Sequence, residues 1–382
     1  MRREQYKKMG LPENQTTVFK YLLSITRTIW HSSLILFFSA FSNNVLSDSD
    51  KSTGISEKNQ YNLLIFHDNM SEVQNQFSQS LQAQLLLKMP DYNYELIDTS
   101  SKSRKKIEAH LTQPASCAVT IGAVATQKVL SVRHPVYIFS LYVPRYKLDN
   151  LYRIYQKLGI PLSGIYEEQP FTRQMFLAKA LNPELNQVNI LLGQADKFYL
   201  REFQKLASEN QLSLNYQILK PADTPEKFLN NVTKPTDFLL ILNNAQLFQN
   251  SKLTGVVLAA YYQKVNLIGN RIEHAKIGTL ASIYTSPNTL AIETTGELKK
   301  ICEAKINQNN KPEGKTKSNS GKNNRDKNQS DSQTKPRFAN SFSVIINDQI
   351  AQNMQLGNLS SNELSKQVTR MENEQNRRHG NE

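Results

Sequence analysis

The chain has 382 residues, 39% of them hydrophobic, with 16 Tyr and 16 Phe. That is too long for one ordinary core and too apolar for a disordered chain, so two globular units plus some unstructured chain are expected. The net charge of +13 sits mostly in two places: residues 1–30 hold six Lys/Arg against two Glu, and residues 305–335 hold eight Lys/Arg against three acids. A nucleic-acid-binding face needs basic residues clustered on the folded body, so this distribution argues against a nucleic-acid partner.

The first 42 residues read as an address. Arg2, Arg3, Lys7, Lys8, Lys20 and Arg27 precede a short apolar core, Leu34 to Phe38, with Ala40 and Ser42 at a small-residue exit. A membrane span needs about 20 apolar residues, so this pattern suits a signal peptide, with an uncleaved anchor as the alternative. Residues 43–60 form a polar linker. No Cys follows the apolar core, which argues against a lipid anchor.

Strands and helices then alternate. Asn62 to Phe66 suits a buried strand. Ser71-Glu72-Val73-Gln74 resembles a capping box, and Val73, Phe77, Leu81 and Leu85 give the helix behind it one apolar face. Tyr94–Ile97 and Cys117–Ile121 read as strands, followed by a helix over Val124–Leu130 and a strand over Val136–Leu141. The second half repeats the theme. Ser163–Tyr166 is extended, Pro170 suits the first turn of a helix over Phe171–Leu181, and Val188–Leu192 is a strand. A helix over Lys197–Glu209 and a strand over Leu212–Leu219 follow, then a short helix from Thr224-Pro225. Phe238–Leu242 is the clearest buried strand, a helix over Leu253–Tyr262 leads to the strand Val265–Ile268, and Ser286-Pro287 starts a helix to about Glu303. Residues 305–335, rich in Asn, Lys, Ser, Gly and Gln, read as a disordered insertion. Phe342–Ile346 returns to a strand, followed by a short helix ended by Gly357. Cys117 and Cys302 read as small buried residues, with a disulfide allowed in an oxidising compartment.

Strands alternating with helices predict an α/β fold of two Rossmann-like lobes, each a parallel sheet flanked by helices. Residues 61–162 form lobe one and 163–275 lobe two. Residues 276–304 return to lobe one, 336–372 hold the final crossing strand and helices, and 373–382 are a disordered tail.

The chain carries no phosphate loop, dinucleotide fingerprint, HExxH motif or G-x-S-x-G elbow. Six scattered histidines show no ligand spacing. Glu167-Glu168 is a poor acid–base pair, since neighbours on a strand point opposite ways. No enzyme, cofactor or metal is implied. Ligands of parallel α/β sheets bind beyond the carboxyl ends of strands. That rule selects Asp68 and Asn69, then Gly122, Ala123 and Ala125 at a helix start, then Tyr142 as an apolar wall. In the second block it selects Gln169 with Arg173, which would suit an anionic ligand, then Asn243 and Asn244, with Asn270 as a weaker candidate. Each has a structural alternative: Asp68 as a helix cap, Arg173 in a surface ion pair, the asparagines as turn residues.

The runs Val-Thr-Ile-Gly-Ala-Val-Ala (119–125), Gln-Pro-Phe-Thr-Arg-Gln (169–174), Ile-Gly-Thr-Leu-Ala-Ser-Ile-Tyr-Thr-Ser-Pro (277–287) and Phe-Ser-Val-Ile-Ile-Asn-Asp-Gln-Ile-Ala (342–351), closing on Leu-Gly (356–357), carry a resemblance in their order and spacing. The chain resembles the substrate-binding components of ABC-type uptake systems, in the uncharacterised branch related to tryptophan/tyrosine-binding proteins. The resemblance implies a type I periplasmic binding fold with a hinge of three crossing segments, near 160–165, 270–278 and 340–347. It implies closure of the lobes on a small polar or aromatic ligand, an ABC permease in the inner membrane as partner, and a free periplasmic location. Two departures stand out. The family often has an acidic residue after the strand that here ends Leu242-Asn243-Asn244, and Asn-Arg-x-Val-Ala where this chain reads Asn347-Asp348-Gln349-Ile350-Ala351. The first changes a ligand-facing charge, so the family's ligands do not carry over. The alternative function is a periplasmic ligand-sensing or interaction module without a permease.

Overall fold

A computed structural model describes residues 61–112, 117–220, 223–224, 229, 238–243, 250–309, 335–354, 356 and 359–380. The predicted signal peptide and linker, the body of the helix from Thr224-Pro225, Asn244, Gly357 and residues 310–334 of the insertion lie outside the described residues.

The first sheet is wholly parallel in the order β2-β1-β3-β4-β5. Its strands are β1 (Tyr61–His67), β2 (Tyr92–Asp98), β3 (Cys117–Ile121), β4 (Tyr137–Val143) and β5 (Leu162–Tyr166). Side chains alternate across a strand, and β1 shows the consequence. Leu63 and Ile65 enter one core with Phe77, Leu81 and Leu85 of helix α1 (Glu72–Lys88). Leu64 and Phe66 enter the other, with Ile107 of α2 (Arg104–Leu111), Leu130 of α3 (Ala123–Val132) and Leu148 of α4 (Arg145–Gln156). Helix α1 starts where its sequence demands. Ser71 Oγ accepts from Gln74 N–H at 3.3 Å, and Gln74 Oε1 accepts from Ser71 N–H at 2.9 Å.

The second sheet has the order β11-β10-β9-β8-β6-β7, with only β11 antiparallel to its neighbour. Its strands are β6 (Gln187–Leu192), β7 (Ser213–Ile218), β8 (Phe238–Leu240), β9 (Asn266–Gly269), β10 (Ala281–Tyr284) and β11 (Ser343–Ile346). Helices α5 (Phe171–Leu181), α6 (Leu200–Glu209) and α11 (Ser361–Gly380) cover one face. Helix α7 (Asn250–Gln263) covers the other, where Leu253, Val256 and Ala260 meet Leu239, Ile241 and Leu267. Helices α8 (Ile272–Ile277) and α10 (Asp348–Asn353) are short connectors. Helix α9 (Pro287–Asn309) packs on α1 and so returns to the first lobe. Among the described residues no helix is long and apolar enough to cross a membrane.

The topology moves several boundaries. A division at 162/163 cuts through β5, which pairs with β4 and belongs to the first lobe. A return at 276 is too early, because Ala281–Tyr284 forms β10 between β9 and β11 in the second sheet. The chain therefore crosses at 167–170, at 285–286 and at 338–342, not at 160–165, 270–278 and 340–347. The third crossing begins as an extra edge to the first sheet: Arg337 bridges Ile165, donating to Gly164 O at 3.0 Å and accepting from Tyr166 N–H at 2.8 Å. Gly164 permits the close approach of β5 to β4, since a Cβ there would sit 2.0 Å from Ser140 O. The expected tail from 373 is helical through Gly380. Buried Leu364 and Val368 anchor α11, and residues 361–379, which hold no Pro or Gly, propagate it. Cys117 and Cys302 are not mere fillers. They form a disulfide, Cα–Cα 6.0 Å, tying β3 to α9 across 185 residues of chain. Closing so long a loop removes about 5 kcal/mol of unfolded-state entropy.

Candidate functional site

In an open parallel sheet the strand order reverses at one place, and the loops there splay apart to leave a crevice. In the second sheet that place is between β6 and β8. The loop after β6 carries Asp196 and the segment after β8 carries Asn243, and both line a cavity. Asn270 joins them from the end of β9. The first lobe adds Arg145 and Tyr146 from the start of α4, and the first crossing adds Glu168 and Gln169. Phe171, Phe203, Tyr199 and Phe338 supply aromatic wall. The space within the cavity rim, open solvent included, is about 430 Å³.

Carboxylates and amides supply most of the polar lining. Glu167 and Glu168 follow the end of β5 in a bend. Their carboxylates converge on one amide: Asn243 Nδ2 donates to Glu167 Oε2 at 2.9 Å and to Glu168 Oε2 at 3.2 Å. The expectation that these neighbours diverge fails because the extended geometry stops at Tyr166. Glu168 also accepts from Arg145 N–H at 2.9 Å, and Glu167 pairs with Arg271 at 3.0 Å. Burial, then the charge of Glu167, pushes the Glu168 carboxyl up to about 7, against the bonds from Arg145 N–H and Asn243. Gln174 of α5 is buried with its amide orientation fixed, because Nε2 donates to Ile241 O and Ile268 O, each at 3.1 Å. Its Oε1 has no partner among the described residues, and neither does Asn270 Oδ1. Leaving a buried acceptor unmet costs about 1–3 kcal/mol. Behind Asn270, His274 is held well below its ordinary pKa by burial, then by Arg271. Its Nδ1 faces Asn270 N–H at 3.3 Å, so neutral His274 orients this loop. Gly269 allows the packing: a Cβ there would meet Ser282 Oγ at 2.3 Å and His274 Cβ at 2.4 Å.

One wall joins the lobes. The Arg145 guanidinium makes a two-pronged bond to Glu202 of α6, at 2.9 and 2.8 Å, and lies 4.3 Å from the centre of the Tyr199 ring. Tyr166 and Phe338 rings flank it at 5.9 and 5.3 Å. Asp149 accepts from the hydroxyls of Tyr166, at 2.5 Å, and Tyr199, at 2.7 Å. Both phenols are raised above the ordinary tyrosine range by burial and by the Asp149 carboxylate, so they stay donors.

The residues expected from sequence divide. Gln169, Asn243 and Asn270 line the cavity. Gln169 is already engaged, with Nε2 donating to Thr285 Oγ1 at 2.7 Å and Oε1 accepting from Arg173 at 2.8 Å. Arg173 is corrected from ligand contact to strut. It is buried and does not line the cavity; it pairs with Glu372 at 2.8 Å and donates to Ala339 O and Asn340 O. Asp68, Asn69, Gly122, Ala123 and Tyr142 sit at the carboxyl ends of β1, β3 and β4 and do not line this cavity. Asp68 accepts from Lys128 Nζ at 2.7 Å, and Asn69 donates to Asp68. Gly122, at φ 92°, turns β3 into α3. Ala125 points into the core and is fully buried, so it is removed as a ligand contact. The Tyr142 ring packs edge-on to Phe77, with centroids 5.2 Å apart, and does not line the cavity. Asn244 lies outside the described residues. Among the described residues no cluster of His, Cys, Asp and Glu suits a metal. Arg145, Glu168, Gln174, Asp196 and Tyr199 were missed. Of these, only Glu168 carries a signal in the sequence, its adjacency to Glu167.

Two mostly parallel sheets of Rossmann type, joined by three crossings and facing each other through their carboxyl ends, define the type I periplasmic-binding-protein fold. Solved structures agree. A conserved domain protein from Vibrio cholerae matches 81% of this chain over 98% of its own, with TM-score 0.50 and 15% identity. The ligand-free, open structure of a substrate-binding protein with adhesive properties from Clostridium difficile matches 78% of this chain over 96% of its own, with TM-score 0.58 and 11% identity. No family model matches the chain, and no curated protein matches its sequence.

Proposed function

We propose that this chain is an exported solute-binding protein of an ABC-type uptake system, which captures a small polar or aromatic molecule between its lobes by hinge closure. The observation that carries this reading is the cavity at the β6/β8 switch point, walled by both lobes and holding two buried acceptors without partners. A ligand donor would satisfy them, and water would be excluded as the lobes close. The three crossings suit a hinge, being short and tied to one another through Gln169, Thr285 and Ser341. The Cys117–Cys302 disulfide supports export, since such bonds persist in oxidising compartments. The likeness to a substrate-binding protein from Clostridium difficile points the same way at the level of fold.

The test is a thermal-shift screen of amino acids, amines, organic acids and sugars, followed by X-ray scattering on each hit. A true ligand at about 100 times its Kd adds roughly 2.7 kcal/mol of stability, which raises Tm by several degrees. It should also reduce the radius of gyration. A screen in which no small molecule of any charge class shifts Tm would end the reading.

A further inference from the structure

The cavity has a pronounced chemical bias. Its own carboxylates are Glu168 and Asp196, and Glu167 shares Asn243 with Glu168. Asp149 and Glu202 stand just behind Tyr199 and Arg145. Against these five acids stand two guanidinium groups, and both are engaged: Arg145 by Glu202 and Asp149, Arg271 by Glu167. Of the buried atoms on cavity-lining residues that lack a hydrogen-bond partner, Gln174 Oε1 and Asn270 Oδ1 are acceptors, and the one donor, Arg145 Nε, faces the Asp149 carboxylate at 3.5 Å. Aromatic faces complete the walls, and these attract cations. An anion would meet no free cation among the described cavity residues and would face several carboxylates.

From this the geometry points to a ligand bearing a protonated amine, whose ammonium sits between Glu168, Asn270 and Gln174 while its apolar part lies on the Phe171, Tyr199 and Phe203 side. This rests on the binding reading above and gives it a charge class. It replaces the anionic ligand that a cavity-lining Arg173 would have suited. The charged and titratable groups around Glu168 are Glu167 beside it, Arg145 and Tyr146 on α4, Asp196 and Tyr199 beyond β6, and Arg271 after β9. Glu168 takes up protons near pH 7 in the empty site, so an incoming ammonium must displace a proton at lower pH. Affinity for the cation should rise about tenfold between pH 6 and pH 8, as Glu168 ionises.

The experiment is calorimetry on the full chain with benzylamine, benzyl alcohol and benzoate, which share a ring and differ in charge, at pH 6 and pH 8. The expected result is that benzylamine binds and gains about tenfold in affinity at the higher pH, that benzoate does not bind, and that Glu168→Gln weakens benzylamine at least tenfold at pH 8 and removes its pH dependence. Benzoate binding as well as benzylamine, or no binding by any of the three, would overturn the inference. The comparison of benzylamine with benzoate needs no variant, so it decides the matter even where Glu168→Gln does not fold. A hit of another charge class in the wider screen would leave the solute-binding reading standing while this inference falls.

Discussion

In the empty protein Glu168 weakens the fold, the opposite of the role proposed for it toward a bound ammonium. Folding places its carboxyl in a site shared with Glu167, and its pKa rises from 4.5 to about 7. A carboxyl raised on folding binds its proton more tightly in the native state. The native state therefore holds more protons than the unfolded state between those values, and stability falls as pH climbs through that window. Above about pH 7 the penalty is complete. Its upper bound is about 3 kcal/mol, reduced by the partial solvent contact that Glu168 keeps. His274 works in the other sense, because a buried neutral histidine loses stability as pH falls below its unfolded value. Comparing Glu168→Gln with the unaltered protein cancels the His274 contribution. The expected outcome is a higher Tm for Glu168→Gln at pH 8 and little difference at pH 4.5, read by calorimetric melting. A variant no more stable than the parent at pH 8 would mean that the carboxylate is comfortable without a ligand.

Elements whose local signals agreed were legible in the sequence. Helix α1 had a capping box and a single apolar face, and β3 had five consecutive residues that are all buried. Helix α4 was missed because only Leu148 and Leu151 are buried in the core, with Tyr152 and Tyr155 packed at its edge, while Arg145, Tyr146 and Arg153 reach the second lobe. Strand β10 is four residues long and depends on partners that are 13 and about 60 residues away in sequence. The cavity was less legible than the fold, since Arg145, Glu168 and Asp196 meet only through the docking of two sheets. Arg173 shows the cost of reading position without partners. It follows the first crossing, as a ligand residue would, yet it binds α5 to α11 and to the third crossing. Removing one member of such a buried pair leaves the other groups unmet. Arg173→Leu should therefore cost about 3–5 kcal/mol in urea unfolding, while Glu372→Gln, at a more exposed partner, should cost about 1 kcal/mol. Equal and small losses in the two variants would remove the strut.

At the scale of the molecule, the lobes are joined at contacts of unequal strength. On one side Lys276 reaches Glu72 at 3.8 Å, with both side chains more than half exposed. Such a pair is screened by salt and contributes little. On the other side Arg145 grips Glu202 with two bonds under a Tyr199 ring that is itself anchored to Asp149. Two parallel bonds fix orientation as well as distance, and stacking adds to them. In the proposed binding cycle, opening has to break this second contact, so it biases the lobes toward closure before any ligand arrives. A bias of this kind raises apparent affinity by raising the fraction of molecules ready to bind. Glu202→Gln should enlarge the radius of gyration of the empty protein and weaken ligand binding a few-fold, without touching the cavity's acceptors. Lys276→Gln should do neither. Scattering and calorimetry on the two variants side by side decide the point, and the asymmetry fails if Lys276→Gln opens the molecule as far as Glu202→Gln does.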